Sequence, residues 1–227
     1  MRQTARAVSV VGPRRVFVAG GTGYVGSRLI PALIARGHSV RALARASSAA
    51  RLPPDCEAVI GNALDDSSFA DRVRPCDTFV QLIGVSHPSP AKAKEFRAID
   101  LASAKASADA AKKAGVAHFV YVSVAQPAPA MKAYVEARAE AEAYIREQGL
   151  SATFLRPWYV LGPGHRWPYL LIPGYWIAEW IPRTRETARR VGLITLARMV
   201  AALVLAVERP VEGIRIVEVP EIRGARL

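Results

Sequence analysis

Three glycines spaced three residues apart, Gly20, Gly23 and Gly26, follow directly on the apolar run from Val16 to Ala19. This order reads as a strand, a phosphate-holding turn and the start of a helix. Gly20 permits the sharp turn, Gly23 lets backbone amides approach a pyrophosphate with no side chain between them, and Gly26 allows the helix to pack closely on the strand. The amides at the new helix N-terminus then face the anion. Further along, Tyr134 and Arg138 stand four residues apart in a helical stretch, which puts a phenol and a guanidinium on one face. Ser123 closes the stretch His118-Phe-Val-Tyr-Val and reaches the carboxyl end of a strand, where open α/β sheets bind ligands.

The elements that must position these groups can be read in chain order. Ser27–Ala35 is an amphipathic helix, closed by Gly37 as its C′ residue. From Ser39 the pattern is extended, with Val40, Ala42 and Ala44 on one face and Arg41, Leu43 and Arg45 on the other, the second strand of a βαβ unit. An NAD-specific site offers Asp or Glu to the adenosine ribose at the end of that strand. Here the position holds Arg45, followed by Ser47 and Ser48, donors suited to a 2′-phosphate; a solvated rim is the competing reading. Glu57–Gly61 is a third strand, and Asn62, Leu64 and Asp65 lie in the loop before a helix near Ser67–Val73. Asn62 suits the adenine edge, or else an N-cap or Asx-turn, which Asp65, Asp66 and Ser67 serve equally well.

Asp77–Ile83 is a fourth strand, too apolar for an edge, and Gly84 ends it where the chain of a doubly wound sheet crosses the cofactor crevice. Residues 91–115 predict one long alanine-rich helix with Phe96, Ile99 and Leu101 toward the core and Asp100, Lys105 and Lys112 toward solvent. After a fifth strand at His118–Ser123, a helix runs from about Met131 to Gln148. A sixth strand follows at Ala152–Arg156, and Pro157 breaks out of it. A helix at Thr195–Glu208, capped by Thr195, and a last strand at Ile214–Val219 close the chain.

Taken together, these pieces resemble an atypical or extended short-chain dehydrogenase/reductase, close to the NmrA-like and NAD(P)-binding epimerase/dehydratase groups. The matching motifs are GGTGYVG at Gly20–Gly26, Arg45, Asn62 with Asp65, VYVSV around Ser123, Tyr134-x-x-x-Arg138, and LRPWYVLGPG at Leu155–Gly164, in the family's order. The resemblance implies an α/β Rossmann fold, a doubly wound parallel sheet in order 3-2-1-4-5-6-7, with a small C-terminal substrate-binding part. It also implies a catalytic centre of Ser123, Tyr134 and Arg138 that moves a hydride or proton at a nicotinamide. Arg138 stands where the family has lysine, and a planar guanidinium does not replace an ammonium atom for atom. As a cation beside a phenol, it is still placed to tune the tyrosine. Cofactor contact falls on Gly20, Thr22, Gly23, Tyr24, Val25 and Gly26 of the turn, on Arg45 and Ser47, on Asn62 and Ala63, on Leu82 and Gly84, and on Pro157. The expected cofactor is NADP, with NAD as the other choice.

Composition bounds these readings. The chain has 227 residues, 51% of them hydrophobic, enough for one α/β domain with a sizeable core. No apolar run is long enough to span a membrane. Cys56 and Cys76 have no metal-ligand spacing and imply no disulfide framework, which fits a cytoplasmic protein without a metal. The net charge of +12, mostly arginine, fits anionic ligands. No helix-turn-helix, RNP or zinc pattern accompanies it, which argues against a nucleic-acid partner. Residues 1–13 read as a flexible basic tail, 14–164 as the NAD(P)-binding domain, and 165–227 as the substrate-binding part with its closing helix and strand, not folding independently. All four tryptophans and three of the seven tyrosines fall between Trp158 and Ile181, followed by Arg183, Arg185, Arg189 and Arg190. That segment reads as a core-packing lid, as an apolar substrate pocket, or as a peripheral membrane contact through 158–190 with arginines toward lipid phosphates.

Two functions survive. One is an NADP-dependent oxidoreductase, or a related dehydratase or epimerase, acting on a small apolar carbonyl or alcohol. The other is a cofactor-binding redox sensor or assembly factor without turnover, favoured by Arg138 in the lysine position.

Overall fold

The computed structural model describes residues 12–128, 130–163 and 190–227, together with residue 186 and the backbone of Arg6–Ala7. Most of the tryptophan-rich segment, and with it the choice among core-packing lid, substrate pocket and membrane contact, lies outside the described residues. Seven strands form the main sheet: β1 (Arg15–Ala19), β2 (Ser39–Ala44), β3 (Cys56–Ile60), β4 (Thr78–Gln81), β5 (His118–Val122), β6 (Ala152–Arg156) and β7 (Ile214–Glu218). All neighbours pair in parallel, in the order 3-2-1-4-5-6-7 that the family resemblance implies. The sheet is therefore doubly wound, with the chain reversing direction between β1 and β4, the point at which such folds open a ligand crevice.

A parallel sheet is covered on both faces, so its strands are apolar throughout, with alternate residues serving opposite layers. Val16, Val18, Val80, Val120, Leu155 and Val217 face α1 (Gly26–Ala35) and α4 (Leu196–Glu208). Phe17, Phe79, Phe119, Tyr121 and Phe154 face α2 (Ala102–Ala114) and α3 (Lys132–Glu147). On this second face Phe17, Phe79 and Phe119 sit in register across β1, β4 and β5, with ring centroids 5.0 and 5.3 Å apart. The helix above that aromatic row presents Ala104, Ala108 and Ala111, whose small side chains let its backbone come close. The alanine richness of this stretch is thus packing against phenylalanine.

The helix ends follow local chemistry. Gly37, at φ 84°, donates to the Ile34 carbonyl and the next amide, His38, donates to Leu33, a Schellman end for α1. Thr195 caps α4 by accepting from the Arg198 amide at 3.3 Å. The chain adds α5 (Val219–Gly224), so Val219, expected to finish a strand, instead begins a helix with Pro220 in its first turn. Arg6–Ala7 pairs antiparallel with Val211–Glu212, and Tyr159–Leu161 pairs in parallel with Leu193–Thr195. No helix among the described residues is long and apolar enough to cross a membrane.

The single helix expected over 91–115 is corrected by the structure. It divides into a 3-10 turn at Pro90–Lys92, one α turn at Ala93–Glu95, a π turn at Phe96–Leu101, and then α2. Asp100, expected toward solvent, is fully buried, and Phe96 and Leu101 are buried as expected. Four-residue spacing already puts Asp100 in line with Ala104 and Ala108; only its charge argued for the other side. Lys105 keeps 38% exposure and Lys112 is exposed.

His118 begins β5 with no solvent exposure, its Nε2 3.0 Å from the Thr153 hydroxyl. Burial, with the charges of Arg14 and Arg215, pushes its pKa down from 6.5 to about 4. Between these values the unfolded chain binds a proton that the folded chain excludes, so stability is complete above pH 6.5 and falls as pH drops toward 4. Urea unfolding should show the wild type losing on the order of 2 kcal/mol from this group between pH 7 and pH 4.5. A His118→Gln variant should show a correspondingly flatter pH dependence over the same interval.

Candidate active site

The glycine turn at the carboxyl end of β1 is built on backbone contacts that exclude side chains. Gly20 has φ 90°, in the left-handed region. A Cβ on Gly26 would fall 2.3 Å from the Gly20 carbonyl oxygen and 2.7 Å from the Gly21 Cα, so α1 begins in direct contact with the turn. Gly21, which the spacing argument passed over, is equally constrained: a Cβ there would lie 2.7 Å from Ile30 Cδ1 and 3.0 Å from Ala42 Cβ. Gly23 differs, since a Cβ would meet only the Gly20 carbonyl oxygen, at 3.1 Å, and the residue is exposed. Gly20 is therefore required by its backbone angle and Gly21 and Gly26 by packing, and Gly23 keeps an open approach to the turn.

A cavity of about 680 Å³ opens over this turn, within the roughly 300–1,000 Å³ range of small-molecule and cofactor sites. Its walls bring together most of the residues singled out above: Gly20, Thr22, Gly23, Tyr24, Val25 and Gly26 from the turn, Arg45 after β2, Asn62 and Ala63 after β3, Leu82 and Gly84 after β4, and Arg138 from α3. Of the two serines that follow Arg45, Ser48 lines the cavity and Ser47 does not. The 3-10 turn at Ala46–Arg51 buries Ser48, whose hydroxyl donates to the Arg45 carbonyl at 3.1 Å, and leaves Ser47 exposed. Arg51, at the end of that turn, reaches back to the Thr22 carbonyl and ties the β2 loop to the glycine turn. No local motif marks Arg51. Asn62 forms the Asx-turn, accepting from the Leu64 amide at 3.1 Å through Oδ1, and still borders the cavity.

On the far side of β1 the loop after β4 is fastened from below. The Leu82 amide donates to the Ala19 carbonyl, and the fully buried Gln81 accepts from the Ile83 amide at 3.3 Å while donating to Ser103 at 3.1 Å. Arg138, 4% exposed, extends under this loop. It donates to Asp100 Oδ1 at 2.6 Å, to the Val122 carbonyl at 2.7 Å and to the Tyr121 hydroxyl at 3.4 Å. Its guanidinium carbon lies 5.3 Å from the Tyr134 ring centroid and 5.6 Å from that of Tyr121. The cation thus points inward, but against the tyrosine ring faces. Burial opposes its charge, and the flanking phenols with Asp100 outweigh that, so its pKa is raised. Burial pushes the Asp100 carboxyl up, against the pull of Arg138.

Ser123, Tyr134 and Pro157 stand outside the cavity lining. Ser123 follows directly on β5, is 2% exposed, and its hydroxyl has no hydrogen-bond partner in the protein. Tyr134 is half-buried in the first turn of α3, its ring 5.0 Å from that of Phe96. Pro157 is buried, its carbonyl accepting from the Ala125 amide at 2.9 Å and so joining the loops after β5 and β6. Cys56 and Cys76 are buried, and burial pushes both thiols up to about 11, which leaves them unreactive.

A family model described as NAD(P)H-binding matches residues 20–166, from the first glycine of the turn to just beyond β6. The chain belongs to this NAD(P)H-binding family. The chain is 27% identical over 210 residues to a ceramide reductase of Caulobacter vibrioides, covering 92% of this chain and 65% of that protein. Against a 3 beta-hydroxysteroid dehydrogenase/Delta 5-->4-isomerase of Mycobacterium tuberculosis it is 32% identical over 115 residues, 48% of this chain and 31% of the relative. The chain therefore spans only about a third of the first curated relatives it matches. The enzyme WbmH of Bordetella bronchiseptica, crystallised with NAD+, shares the fold at a TM-score of 0.67 and 21% identity, over 89% of this chain and 75% of that one.

The turn of the NAD(P)H-binding domain fits a pyrophosphate on its own geometry, because Gly23 leaves the backbone approachable where any side chain would intrude. Two substitutions separate this role from packing. Gly23→Val should keep a melting temperature within a few degrees of wild type while abolishing NADPH binding in a fluorescence titration. Gly26→Val, with no room for its Cβ, should lower the melting temperature sharply as well.

Proposed function

We propose that this NAD(P)H-binding domain is an NADP(H)-dependent oxidoreductase acting on a small, apolar carbonyl or alcohol. The observation that carries the reading is one cavity joining the open glycine turn to Arg45 and Ser48 on one side of β1 and to Arg138 on the other. Bound NADP(H) would supply the hydride. The turn amides suit its pyrophosphate. Arg45 suits a 2′-phosphate through charge-assisted hydrogen bonds. The Asx-turn of Asn62 leaves its amide NH2 for the adenine edge. Tyr134 then acts as proton donor to the substrate oxygen, and the partnerless hydroxyl of Ser123 fixes the same oxygen. The apolar substrate class draws support from the relatives named for a ceramide and a hydroxysteroid.

A second reading, a cofactor-binding sensor or assembly factor without turnover, is favoured by the state of Arg138. Its charge is met by buried Asp100, and its guanidinium lies on the Tyr134 ring rather than at the hydroxyl. A cation so engaged does less for proton transfer than a lysine beside the phenol oxygen.

Cofactor choice is tested by titrating NADPH and NADH. Arg45→Ala should lose about 1.5–3 kcal/mol of NADPH affinity with NADH scarcely changed; equal losses would reduce Arg45 to a rim charge. Turnover is tested by NADPH absorbance loss with a panel of apolar ketones and aldehydes. Tyr134→Phe should slow it about a hundredfold. Tight NADPH binding with no turnover across the panel would favour the sensor.

A further inference from the structure

His87 has no part in the reading above, yet it stands in the wall of the same cavity. Among the described residues that line it, the side chains that ionise are Tyr24, Arg45, His87 and Arg138, with no carboxylate. Arginine does not release its proton in a protein, whereas imidazole gains and loses one near neutral pH. Ser123 and Tyr134 lie outside that lining. His87 is thus the acid–base group that the cavity wall itself presents, and it is exposed to water.

The loop after β4 holds this side chain in a fixed place. His87 has φ 52°, in the left-handed region uncommon for any residue but glycine, and such a conformation persists where its surroundings impose it. Here they act from both sides. Before His87, the Val85 amide donates to Asp100 Oδ2 at 3.0 Å. After it, Lys92 folds back, its Nζ donating to the Ser86 carbonyl at 2.6 Å and its amide to the Ser89 carbonyl at 3.0 Å. One residue so closes the loop around His87 and Pro88. The same loop passes Arg138 at Gly84, where a Cβ would fall 2.2 Å from Arg138 Nη2, and the Arg138 guanidinium in turn covers the Tyr134 ring. His87 therefore belongs to the end of the cavity beyond β4, across β1 from Arg45.

Proton donation by Tyr134 leaves a phenolate that must be reloaded, and Arg138 keeps its own proton. We propose that His87 is a second acid–base residue of this site, bonding the substrate oxygen from the loop side and bringing the reaction's proton in from solvent. The inference rests on the oxidoreductase reading. In a reduction, hydride passes from NADPH to the carbonyl carbon, and the π pair moves onto the oxygen and takes the Tyr134 proton. The imidazolium, hydrogen-bonded to that oxygen, then gives it a proton as the first returns to the phenolate. The imidazole regains its proton from water, and oxidation runs the same steps backwards.

His87→Asn tests this, because asparagine accepts the left-handed backbone and carries no exchangeable charge. His87→Gly, which relieves the backbone altogether, is the second variant should the first misfold. After circular dichroism has matched the folds, each is titrated with NADPH and assayed on the apolar ketones and aldehydes with and without added imidazole. Both should bind NADPH within about twofold of wild type, lose about tenfold or more in kcat, and recover several-fold when imidazole is added. A kcat within about twofold of wild type in a folded variant overturns the proposal. So does a loss that imidazole leaves unchanged, or one matched by an equal loss of NADPH affinity, which a purely structural role would give. Wild-type protein that binds NADPH but turns over none of the panel would instead remove the oxidoreductase reading, and this inference with it.

Discussion

The close approach of helix α1 to the end of strand β1 is the contact on which the site depends. With the Gly26 Cβ position 2.3 Å from the Gly20 carbonyl and that of Gly21 2.7 Å from Ile30, backbone meets backbone and helix with no side chain between. This fixes the helix N-terminus over the carboxyl edge of the sheet, where its amides can face an anion. The rest of the fold serves that placement. β1 is flanked by β2 and β4, both buried, so the turn sits at the centre of a rigid sheet edge rather than on a mobile rim.

The two layers achieve this rigidity differently. On one face, valines of the strands meet leucines and isoleucines of α1 and α4. On the other, the row of phenylalanines does most of the filling, and α2 answers with alanines. Large residues on the sheet and small ones on the helix bring α2, and the π turn preceding it, close to the sheet. That proximity carries Asp100 to the loop after β4.

The buried charge pair bears on both functional readings. A guanidinium removed from water needs a counter-charge and a full set of acceptors, and here Asp100, the Val122 carbonyl and the Tyr121 hydroxyl provide most of them. The arrangement makes Arg138 a rigid donor with a permanent charge. A lysine at this position would carry one mobile ammonium, able to shift its protonation; an arginine forked onto three partners offers shape and charge instead. Such a residue is well suited to fixing a ligand and poorly suited to relaying a proton. The enzyme reading therefore leans on Tyr134 and Ser123, and the sensor reading leans on the pair itself.

Much of this was legible in the sequence because it is governed by short-range rules. The glycine spacing, the apolar strand before it, the Gly37 helix end and the Thr195 cap each involve residues within a few positions of one another, and local backbone sterics and hydrogen bonding decide them. The strand order followed from the resemblance to a known family. What the sequence could not determine were contacts between distant segments. Ser48 faces the cavity instead of Ser47 because a 3-10 turn sets the rotation of the chain after β2. Gly21 is constrained by Ile30 and Ala42 from two other elements, and Arg51 reaches Thr22 across 29 residues. Asp100 carried a charge that argued for solvent, and only the fold, by bringing Arg138 to it from 38 residues away, supplied the counter-charge that allows a carboxylate to be buried.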